Sequence, residues 1–556
     1  MRFAKNVFSQ LHTFILWALI SVIFWGWVFT RLTDAPADKK LTLYIDAPCD
    51  DRALALALED RRPEGIRMVQ VHPFGYAMFD ESELRNADLY LVSGDAASNY
   101  VNSFIPLNEE ISAGVPDIWR QEGEAYGVRA SEELMSYVDL KAPGAGPGPY
   151  YLFFGVNSHH AAALTGRGDN AALTLAEELR VREDDGFLRG VDVSSVIALE
   201  QSGVIYRDEG GTARDLFSLL AENGVNAVRV RVWNDPYDEE GRGYGGGNCD
   251  VEKAAEIARR AAGAGLRTIV DFHYSDFWAD PGKQMAPKAW VGMSIAEKED
   301  SLYRYTVESL LTITGAGGDV AMVQVGNETN GALCGEMGEE SLCRLLSAGA
   351  RAVREVCPEA KVAVHFTNPE RTGSFAWYAG VLDRYGVDYD VFAGSYYPFW
   401  HGTLDNLASV LGGIHEMYGK DVMVMETSYA YTDQDTDHFP NTISAQSRVD
   451  NPWPHTPEGQ AEALRAVFDT VRAIPGGIGV VYWEGAWIRV PGESREARAA
   501  LWEEYGSGWA SSYAGSYDPD DAGRWYGGCA VDNQALFSAD GFPLPALRVF
   551  SEAAGN

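Results

Sequence analysis

Two glutamates stand where acid–base and nucleophilic chemistry could be carried out. Glu328 ends the apolar run 321–328, directly after Asn327, and Glu426 lies in the apolar run 422–429. Hydrolysis of a glycosidic bond needs two carboxyl groups beside it, one held protonated and the other ionised. If the fold holds them about 5–5.5 Å apart, as in retaining enzymes, Glu426 is the expected nucleophile and Glu328 the expected acid and then base.

Further polar and aromatic side chains follow other apolar runs: Arg231, His273, Asp276, His365, Tyr396, Trp400 and Trp483. A single polar residue after an apolar run is often only a neighbour of a helix cap. Acids, histidines and tryptophans that follow most of the apolar runs together favour a binding site. Asn327 could hydrogen-bond a sugar 2-hydroxyl, and His365, Tyr396 and Arg231 could orient the glutamates and shift their pKa values. Trp483 could form an apolar floor for a sugar ring, or it could pack in the core.

The elements that must position these residues are predicted strands. They are 187–194, 227–233, 267–274, 321–328, 361–366, 391–398, 422–429 and 479–485. Their near-continuous apolar character indicates burial on both faces and therefore a parallel sheet. Because helical stretches separate the runs, we predict a (β/α)8 barrel over 187–556, with functional side chains at the C-terminal strand ends. An open doubly wound sheet is the alternative, but GYGGGN (243–248) does not join a strand to a helix as its phosphate turn would.

A smaller α/β domain is predicted over 41–182, after a polar, proline-containing linker at 32–40. The runs 41–47, 66–74, 87–94 and 150–158 are typical of strands, and 50–60 and 170–179 have helical spacing. The stretch ADLYLVSGDAA (87–97) resembles part of one lobe of an extracellular solute-binding protein. This domain shows no catalytic constellation, so a spacer or protein-contact role is expected for it.

The N-terminal residues set the expected location. An apolar run at 14–29 follows Arg2 and Lys5 and precedes Arg31, and its length is enough to cross a bilayer. We therefore predict a signal-anchor, a transmembrane helix within 1–31. A cleaved signal peptide is the alternative, although no small-residue cleavage site closes the run. In both cases the remaining chain is expected outside the cell, at the extracellular face of the membrane or secreted.

The charge balance excludes one class of partner. The formal net charge is −35, from 45 Lys and Arg against 80 Asp and Glu. A nucleic acid backbone would be repelled by that field, so no nucleic acid partner is expected. Aromatic residues make up 12% of the chain, which suits stacking on neutral sugars but also serves ordinary cores.

Residues 187–547 resemble the arabinogalactan endo-β-1,4-galactanases of glycoside hydrolase family 53. The motifs that carry the resemblance include GVDVS (190–194), NGVNAVRVRVWNDP (223–236), DFHYSDFWADPGKQMAPKAW (271–290), VQVGNETNG (323–331), SYYPFWHGTL (395–404), METSYAYT (425–432), VVYWEGAW (480–487) and NQALFSADGFPLPAL (533–547). The sequence departs from the family pattern at Gly485, where proline is usual, and at Ser538, where aspartate is commoner. The segment 489–528 is also less typical.

The resemblance implies a retaining barrel enzyme that cleaves galactan or arabinogalactan internally and needs no cofactor for chemistry. It places the acid/base on the fourth barrel strand and the nucleophile on the seventh, which Glu328 and Glu426 match. Trp290, at the end of the third-strand motif, joins the expected substrate-binding residues. The alternatives are a mannanase- or xylanase-like relative, or a surface sugar-binding protein without activity, against which the two intact glutamates argue.

A calcium site is predicted in TDQDTDHFPNT (432–442), which follows the seventh barrel strand. Asp435, Asp437 and Asn441 alternate in a turn-rich loop, and oxygen ligands so spaced suit Ca²⁺. Bacterial members of the resembled family can carry calcium in this loop, although His438 stands one position away from the family register. An ordinary acidic loop is the alternative. The ion would brace the loop after Glu426 without taking part in chemistry.

Overall fold

The chain divides into two compact units, with the boundary between Asp185 and Gly186. The computed structural model describes residues 15–17, 20–21, 24–25, 35–59, 61–73, 87–112, 115, 117–142, 145–180, 186–445 and 452–554. Most of the predicted anchor, 14–29, lies outside these ranges, so the anchor stays a prediction. Among the described residues, no helix has both the length and the apolar character to cross a bilayer.

The N-terminal unit is built on a six-stranded mixed sheet in the order β2-β1-β3-β6-β5-β4. Its strands are β1 (Lys40–Ile45), β2 (Met68–Pro73), β3 (Leu89–Ser93), β4 (Ile118–Gln121), β5 (Glu124–Arg129) and β6 (Tyr150–Phe154). Its helices are Asp51–Glu59, Gly94–Ala97, Glu109–Ser112, Glu132–Met135, Ala162–Thr165 and Ala171–Leu179. The strands β1, β2 and β3 pair in parallel, whereas β6, β5 and β4 pair antiparallel. The β4–β5 hairpin was not predicted, because its residues are short runs rich in polar side chains.

The C-terminal unit is a closed barrel of eight parallel strands, which confirms the predicted (β/α)8 architecture. The barrel strands are β7 (Leu188–Asp192), β8 (Ala227–Val232), β9 (Arg267–Phe272), β10 (Val320–Val325), β13 (Lys361–Phe366), β14 (Val391–Ser395), β15 (Asp421–Thr427) and β16 (Gly477–Tyr482). Two further strands, β11 (Ala332–Leu333) and β12 (Glu336–Met337), form a short antiparallel hairpin after β10. The register closes through β16 and β7, where Val480 pairs with Arg189.

Helices surround the barrel and follow the strands in sequence. They are Val196–Gln201, Leu216–Glu222, Val251–Gly263, Ile295–Gly315, Glu339–Val356, Ser374–Arg384, Leu404–Tyr418, Pro457–Ala473, Arg495–Tyr505, Ala522–Trp525 and Pro545–Ala553. Side-chain caps start several of them: Asp250 accepts from the main chain of Lys253, and Ser294 and Glu297 form a capping box. Such caps satisfy main-chain N–H groups that the first helical turn leaves open.

Strand β8 shows how the barrel aims side chains at its axis. Val228, Val230 and Val232 pack in the large core between strands and helices, whereas Ala227 packs with the interior residues Ile269 and Met423. Because side chains alternate along a strand, Arg229 and Arg231 share the interior face of Ala227. Two buried cations are thereby placed inside the barrel, and each needs an acidic partner.

Candidate active site

A cavity of about 460 Å³ opens at the C-terminal ends of the barrel strands. Its lining includes His273, Trp278, Asp280, Lys283, Asn327, Glu328, Tyr397, Trp400, His401, Glu426, Trp483, Trp487, Trp509 and Asp521. A larger cavity of about 1120 Å³ lies in the N-terminal unit, but Asp88 is the one carboxylic acid among its described lining residues. The barrel cavity is therefore the candidate active site, because it is lined by both Glu328 and Glu426.

Glu328 lies in an unusual backbone conformation just beyond β10. Its φ of +45° falls in the left-handed region, which a residue with a side chain rarely adopts outside functional sites. The turn that delivers it begins at Gly326, whose φ is +83° and where a Cβ would meet Thr329 at 2.6 Å. The Ser395 hydroxyl oxygen lies 2.5 Å from Oε1 of Glu328, within hydrogen-bond distance. Desolvation and the negative charge of Glu426 raise the pKa of Glu328 to about 8, so it holds a proton at neutral pH.

Glu426, in β15, is buried and held by two donors. Nη1 of Arg229 is 2.9 Å from Oε1, and the Tyr397 hydroxyl donates to Oε2 at 2.9 Å. Burial raises the pKa of Glu426, and the charge of Arg229 together with the Tyr397 hydrogen bond opposes that rise. Since Glu426 has the direct ion pair and Glu328 does not, Glu426 is the carboxyl that ionises first.

Arg229 is the centre of the buried charge network. Its guanidinium pairs with Asp192 and with Asp271, each at 3.0 Å, and Nη2 donates to Oδ1 of Asn327 at 3.0 Å. These carboxylates raise the pKa of Arg229 above its usual range, so the cation is permanent. The arginine predicted from the sequence was Arg231, which belongs to the same alternating set on β8 as Arg229.

Four of the predicted substrate-binding residues line the cavity: His273, Asn327, Trp400 and Trp483. Nε2 of His273 donates to Asp271 at 3.0 Å, while Nδ1 accepts from the indole N–H of Trp233 at 3.1 Å. Burial lowers the pKa of His273, so its ring is neutral. Trp483 is partly exposed and makes an edge contact with Trp278, with ring centroids 6.2 Å apart. Part of its indole therefore faces the cavity, while the rest packs against a buried cluster that includes Phe399 and Tyr429.

Three predicted residues, Arg231, His365 and Tyr396, are absent from the described lining of the cavity. Arg231 is buried, pairs with Glu484 at 3.1 Å and lies over the Trp278 ring at 4.0 Å, so it supports the cavity wall from behind. His365, in β13, is fully buried and contacts Asn327 at 2.9 Å and Ser395 at 3.0 Å, so it reaches the site through these residues. The Tyr396 hydroxyl donates to the carbonyl of Gly402 at 3.0 Å, which braces its own loop.

Asp276 and Trp290 also lie outside the described lining of the cavity. The Asp276 carboxylate accepts from the main-chain N–H of Asp235 at 3.0 Å and of Lys288 at 2.6 Å, which ties three loop segments together. Trp290 is buried and packs against Tyr305, with ring centroids 6.2 Å apart. Their physical role is to hold the loop after β9 in place.

The structure adds residues that were not predicted from the sequence. Tyr397, rather than Tyr396, reaches Glu426. Lys283 pairs with Asp518 at 2.7 Å and Asp521 at 2.6 Å, which joins the loop after β9 to the segment 489–528. The same segment contributes Trp509 and Asp521 to the cavity, so the part of the chain that departs from the family pattern shapes the cavity wall.

The predicted calcium loop gathers oxygen atoms of the kind that calcium binds. Carboxylate atoms of Asp435, Asp437 and Asp532 lie within 4.8 Å of one another, and Oδ1 of Asn441 is buried without a hydrogen-bond partner. Burial and the charge of Asp532 raise the pKa of Asp437 to about 8. Asp437 and Asp532 are buried whereas Asp435 is exposed. Buried carboxylates that crowd together are costly without a cation, so these four residues fit a divalent ion. Asp532 was not predicted, because it is far from the loop in sequence.

Comparisons with known proteins agree with this geometry. The chain is 54% identical over 384 residues to an endo-beta-1,4-galactanase of Bacillus subtilis (strain 168), an alignment that covers 68% of this chain and 89% of the relative. It is 36% identical over 313 residues to an arabinogalactan endo-beta-1,4-galactanase of Thermothelomyces thermophilus, covering 54% of this chain and 90% of the relative.

Solved structures and a family model cover the barrel in the same way. The family 53 catalytic domain of Ignisphaera aggregans matches with a TM-score of 0.58 and 35% identity, over 66% of this chain and 95% of that chain. The family model described as glycosyl hydrolase family 53 matches residues 188–550, which is nearly the whole barrel unit. The chain therefore belongs to glycoside hydrolase family 53.

Proposed function

We propose that this protein is an endo-β-1,4-galactanase that hydrolyses galactan or arabinogalactan with retention of anomeric configuration. One observation carries the proposal: Glu328 and Glu426 line the same cavity, and their surroundings favour a proton on the first and a charge on the second. This is the arrangement that double displacement needs. The substrate class follows the 54% identical relative from Bacillus subtilis, which is named an endo-beta-1,4-galactanase.

In the first step, Glu426 attacks the anomeric carbon and the bond to the leaving oxygen breaks. Glu328 donates its proton to that oxygen, so the leaving sugar departs as an alcohol. Tyr397 and Arg229 hold the attacking carboxylate through the two 2.9 Å contacts, which fixes the direction of its lone pairs. Asn327 is held by Arg229 and by the carbonyl of Ala279, which positions its amide beside the glutamates.

In the second step, Glu328 is ionised and removes a proton from water, which attacks the glycosyl–Glu426 ester. The products are a sugar hemiacetal of retained configuration, free Glu426 and reprotonated Glu328. Around the glutamates, Trp278, Trp483 and Trp487 line the cavity with apolar surface. Such surface can stack on sugar rings and excludes water from the charged groups.

The test is product analysis on linear β-1,4-galactan, with mannan and xylan as parallel substrates. We expect oligosaccharides from galactan alone, with the β-anomer appearing first in the NMR spectrum. The Glu328→Gln and Glu426→Gln variants should lose at least about 1,000-fold in kcat, since each removes a reacting group. Preferred cleavage of mannan or xylan would identify a different relative of the fold. Binding of galactan without cleavage would indicate a surface sugar-binding protein.

We propose in addition that Asp435, Asp437, Asn441 and Asp532 hold a structural Ca²⁺. Their converging oxygen atoms and the buried, unpartnered Oδ1 of Asn441 support this assignment. The loop begins just after β15, the strand that carries Glu426. When bound, the ion would neutralise these carboxylates and fix the loop.

We further propose that the enzyme acts outside the cell, held at the membrane by the N-terminal apolar run or secreted. The support is the sequence of 14–29 and its basic flank. Fractionation of cells that express the full chain, with protease accessibility of the barrel in intact cells, tests this location.

A further inference from the structure

The hydroxyl of Ser395 lies between Glu328 and the imidazole of His365, at the last residue of β14. Its Oγ is 2.5 Å from Oε1 of Glu328 and 3.0 Å from Nε2 of His365. Ser395 and His365 are both fully buried, at 0% exposure, so water does not compete for these contacts. A hydroxyl has one proton, and Ser395 can therefore donate to only one of its two neighbours at a time.

The other contacts of His365 fix which ring nitrogen carries its proton. Nδ1 lies 2.9 Å from Oδ1 of Asn327. That oxygen is oriented as an acceptor, because the Asn327 amide nitrogen donates to the carbonyl of Ala279 at 2.9 Å. The Gln324 amide, 3.1 Å from Nδ1, donates to the same Asn327 oxygen at 2.9 Å. The main-chain N–H of Glu328 also points at Nδ1, but at 3.4 Å it is the longest of these contacts. The 2.9 Å approach to the Asn327 oxygen decides the tautomer, so Nδ1 carries the proton and Nε2 is left as an acceptor that faces Ser395.

Burial and the neighbouring charge of Arg229 keep the imidazole neutral, since they lower the pKa of His365 well below its usual range. A neutral Nε2 acceptor is a suitable partner for a serine hydroxyl but a weaker one than a carboxylate, because hydrogen bonds to an ionised group are roughly twice as strong. The direction of the Ser395 hydroxyl consequently depends on the charge of Glu328.

We propose that Ser395 is a positioning residue whose hydroxyl turns between Glu328 and His365 as Glu328 alternates between its acid and base forms. This inference rests on the function proposed above, in which Glu328 is protonated in the first step and ionised in the second. In the free enzyme, protonated Glu328 donates through Oε1 to Oγ of Ser395, and Ser395 donates to Nε2 of His365. The proton given to the leaving oxygen must lie on the other carboxyl oxygen of Glu328. When the proton is there, the serine hydroxyl turns and donates to Oε1, and it keeps that direction while Glu328 is ionised.

No proton leaves Ser395 or His365 in this cycle. The proton that Glu328 gives to the leaving oxygen is replaced by one from the attacking water, and only the O–H direction of the serine changes. Both forms of Glu328 thus keep a hydrogen-bond partner inside a buried site, where an unpaired polar group is costly. The acid can change its protonation state without movement of heavy atoms.

Among the described contacts, the other groups that face Glu328 do not have a second hydrogen-bond acceptor to which they could turn. The charges of Glu426 and Asp280 raise the pKa of Glu328, and the hydroxyl of Thr367 lowers it. Tyr397 interacts electrostatically with both glutamates, but its hydroxyl donates to Glu426. Ser395 is distinguished because its alternative acceptor, Nε2 of His365, lies within hydrogen-bond distance.

The test uses Ser395→Ala in the full chain, with Ser395→Thr as the variant that keeps a hydroxyl. The alanine variant loses the hydrogen bond to Glu328, and that bond is stronger when Glu328 is ionised than when it is neutral. The pKa of Glu328 should therefore rise, and the basic limb of the kcat/KM profile should move upward by about one pH unit. The second step, which needs ionised Glu328, should slow roughly 10-fold. This loss would appear in kcat for an aryl galactobioside with a good leaving group. Ser395→Thr should restore both properties.

Two measurements without substrate separate this inference from the proposed function. Glutamate labelled with ¹³C at the carboxyl carbon, assigned with Glu328→Gln, should titrate at higher pH in Ser395→Ala than in the parent. Histidine labelled with ¹⁵N should show the His365 proton on Nδ1. An unchanged Glu328 titration, a proton on Nε2, or an equal loss of kcat at every pH would overturn the inference. A parent protein with these NMR properties but no galactan hydrolysis would instead count against the proposed function.

Discussion

Tyr397 and Glu426 are joined by a 2.9 Å hydrogen bond, whereas the adjacent Tyr396 donates to the carbonyl of Gly402 at 3.0 Å. The chain thus contains a matched pair of tyrosines. Removing the hydroxyl of Tyr397 should lower kcat/KM roughly 10- to 100-fold, because a hydrogen bond to a charged group contributes about 1.5–3 kcal/mol. Tyr396→Phe should stay within about twofold of the parent. Steady-state kinetics on linear galactan compares them, and an equal loss in both variants would contradict the assignment.

Substitution of Arg229 should reduce catalysis more than substitution of Arg231, the other arginine inside the barrel. Arg229→Met leaves Asp192, Asp271 and Glu426 without their shared cation, and loss of one partner from a buried ion pair costs about 3–5 kcal/mol. We expect a large fall in the free energy of unfolding and no measurable turnover. Arg229→Lys keeps a charge, so it should recover more stability than activity, since a lysine cannot reproduce the planar contacts.

The control for Arg229 is an exposed ion pair on the barrel surface. Arg259 pairs with Glu256 at 2.8 Å, and both side chains are about half exposed. Arg259→Met should change the free energy of unfolding by less than about 1 kcal/mol, as exposed pairs contribute little. Denaturant unfolding of the three variants beside the parent makes the comparison. Similar losses for Arg229→Met and Arg259→Met would argue against a buried network.

The barrel was predictable because its signals are local. Continuous apolar runs separated by helical stretches need no knowledge of distant contacts, and strands β7 to β10 and β13 to β16 fall on the predicted runs. The same local rule placed Glu328 and Glu426 at the correct end of the barrel. An apolar run does not show how deep in the barrel each side chain lies. Arg229 and Arg231 share one face of β8, and only the assembled barrel shows that Arg229 reaches Glu426.

Other errors arise where the regular geometry ends. The alternation of side chains predicts which way a residue points only within a strand. Because β14 ends at Ser395, alternation cannot predict which of Tyr396 and Tyr397 points toward Glu426. Asp532 joins Asp435 and Asp437 through a contact between distant parts of the chain, which no spacing within one loop can indicate. Ser395 itself carries no sequence signal for a role, because a serine at a strand end is common.

Trp483 should contribute to sugar binding through its ring. It lines the cavity and is partly exposed, unlike the buried Trp487 beside it. Trp483→Ala should lower kcat/KM roughly 10- to 100-fold, in line with about 1.5–3 kcal/mol for covering a large apolar side chain. Trp377→Ala is the control, since Trp377 is 48% exposed and stands outside the described lining of this cavity. Equal losses on galactan would remove the special role of Trp483.

Calcium should stabilise the protein through the cluster around Asp437. Treatment with a chelator should lower Tm, and added Ca²⁺ should restore it, because an ion that binds only the folded state shifts unfolding by mass action. Asp437→Asn should abolish the response. Asp520→Asn should keep it, since Asp520 is an exposed residue paired with Arg524 outside the cluster. A Tm that is indifferent to both chelator and Ca²⁺ would leave this loop as an ordinary acidic turn.

The raised pKa of Glu328 should make the folded protein less stable as the pH rises. The pKa is about 8 in the folded state against 4.5 for the free side chain, so between these values the unfolded chain releases a proton that the folded protein retains. Stability from this group is complete below pH 4.5 and declines until about pH 8. Catalysis should follow the same proton: kcat/KM should fall above about pH 8, where the acid form is lost.

Glu328→Gln removes this titration while it keeps the size of the side chain. Relative to the parent, the variant should therefore gain stability with rising pH, by roughly 2–4 kcal/mol between pH 4.5 and pH 8. Denaturant unfolding of both proteins across this range measures the difference, and Glu359→Gln, at an exposed surface position, supplies the control. A constant difference between variant and parent at all pH values would mean that Glu328 ionises normally. The inactive variant should thus be the more stable protein at alkaline pH, because the acid is held protonated at the expense of folding free energy.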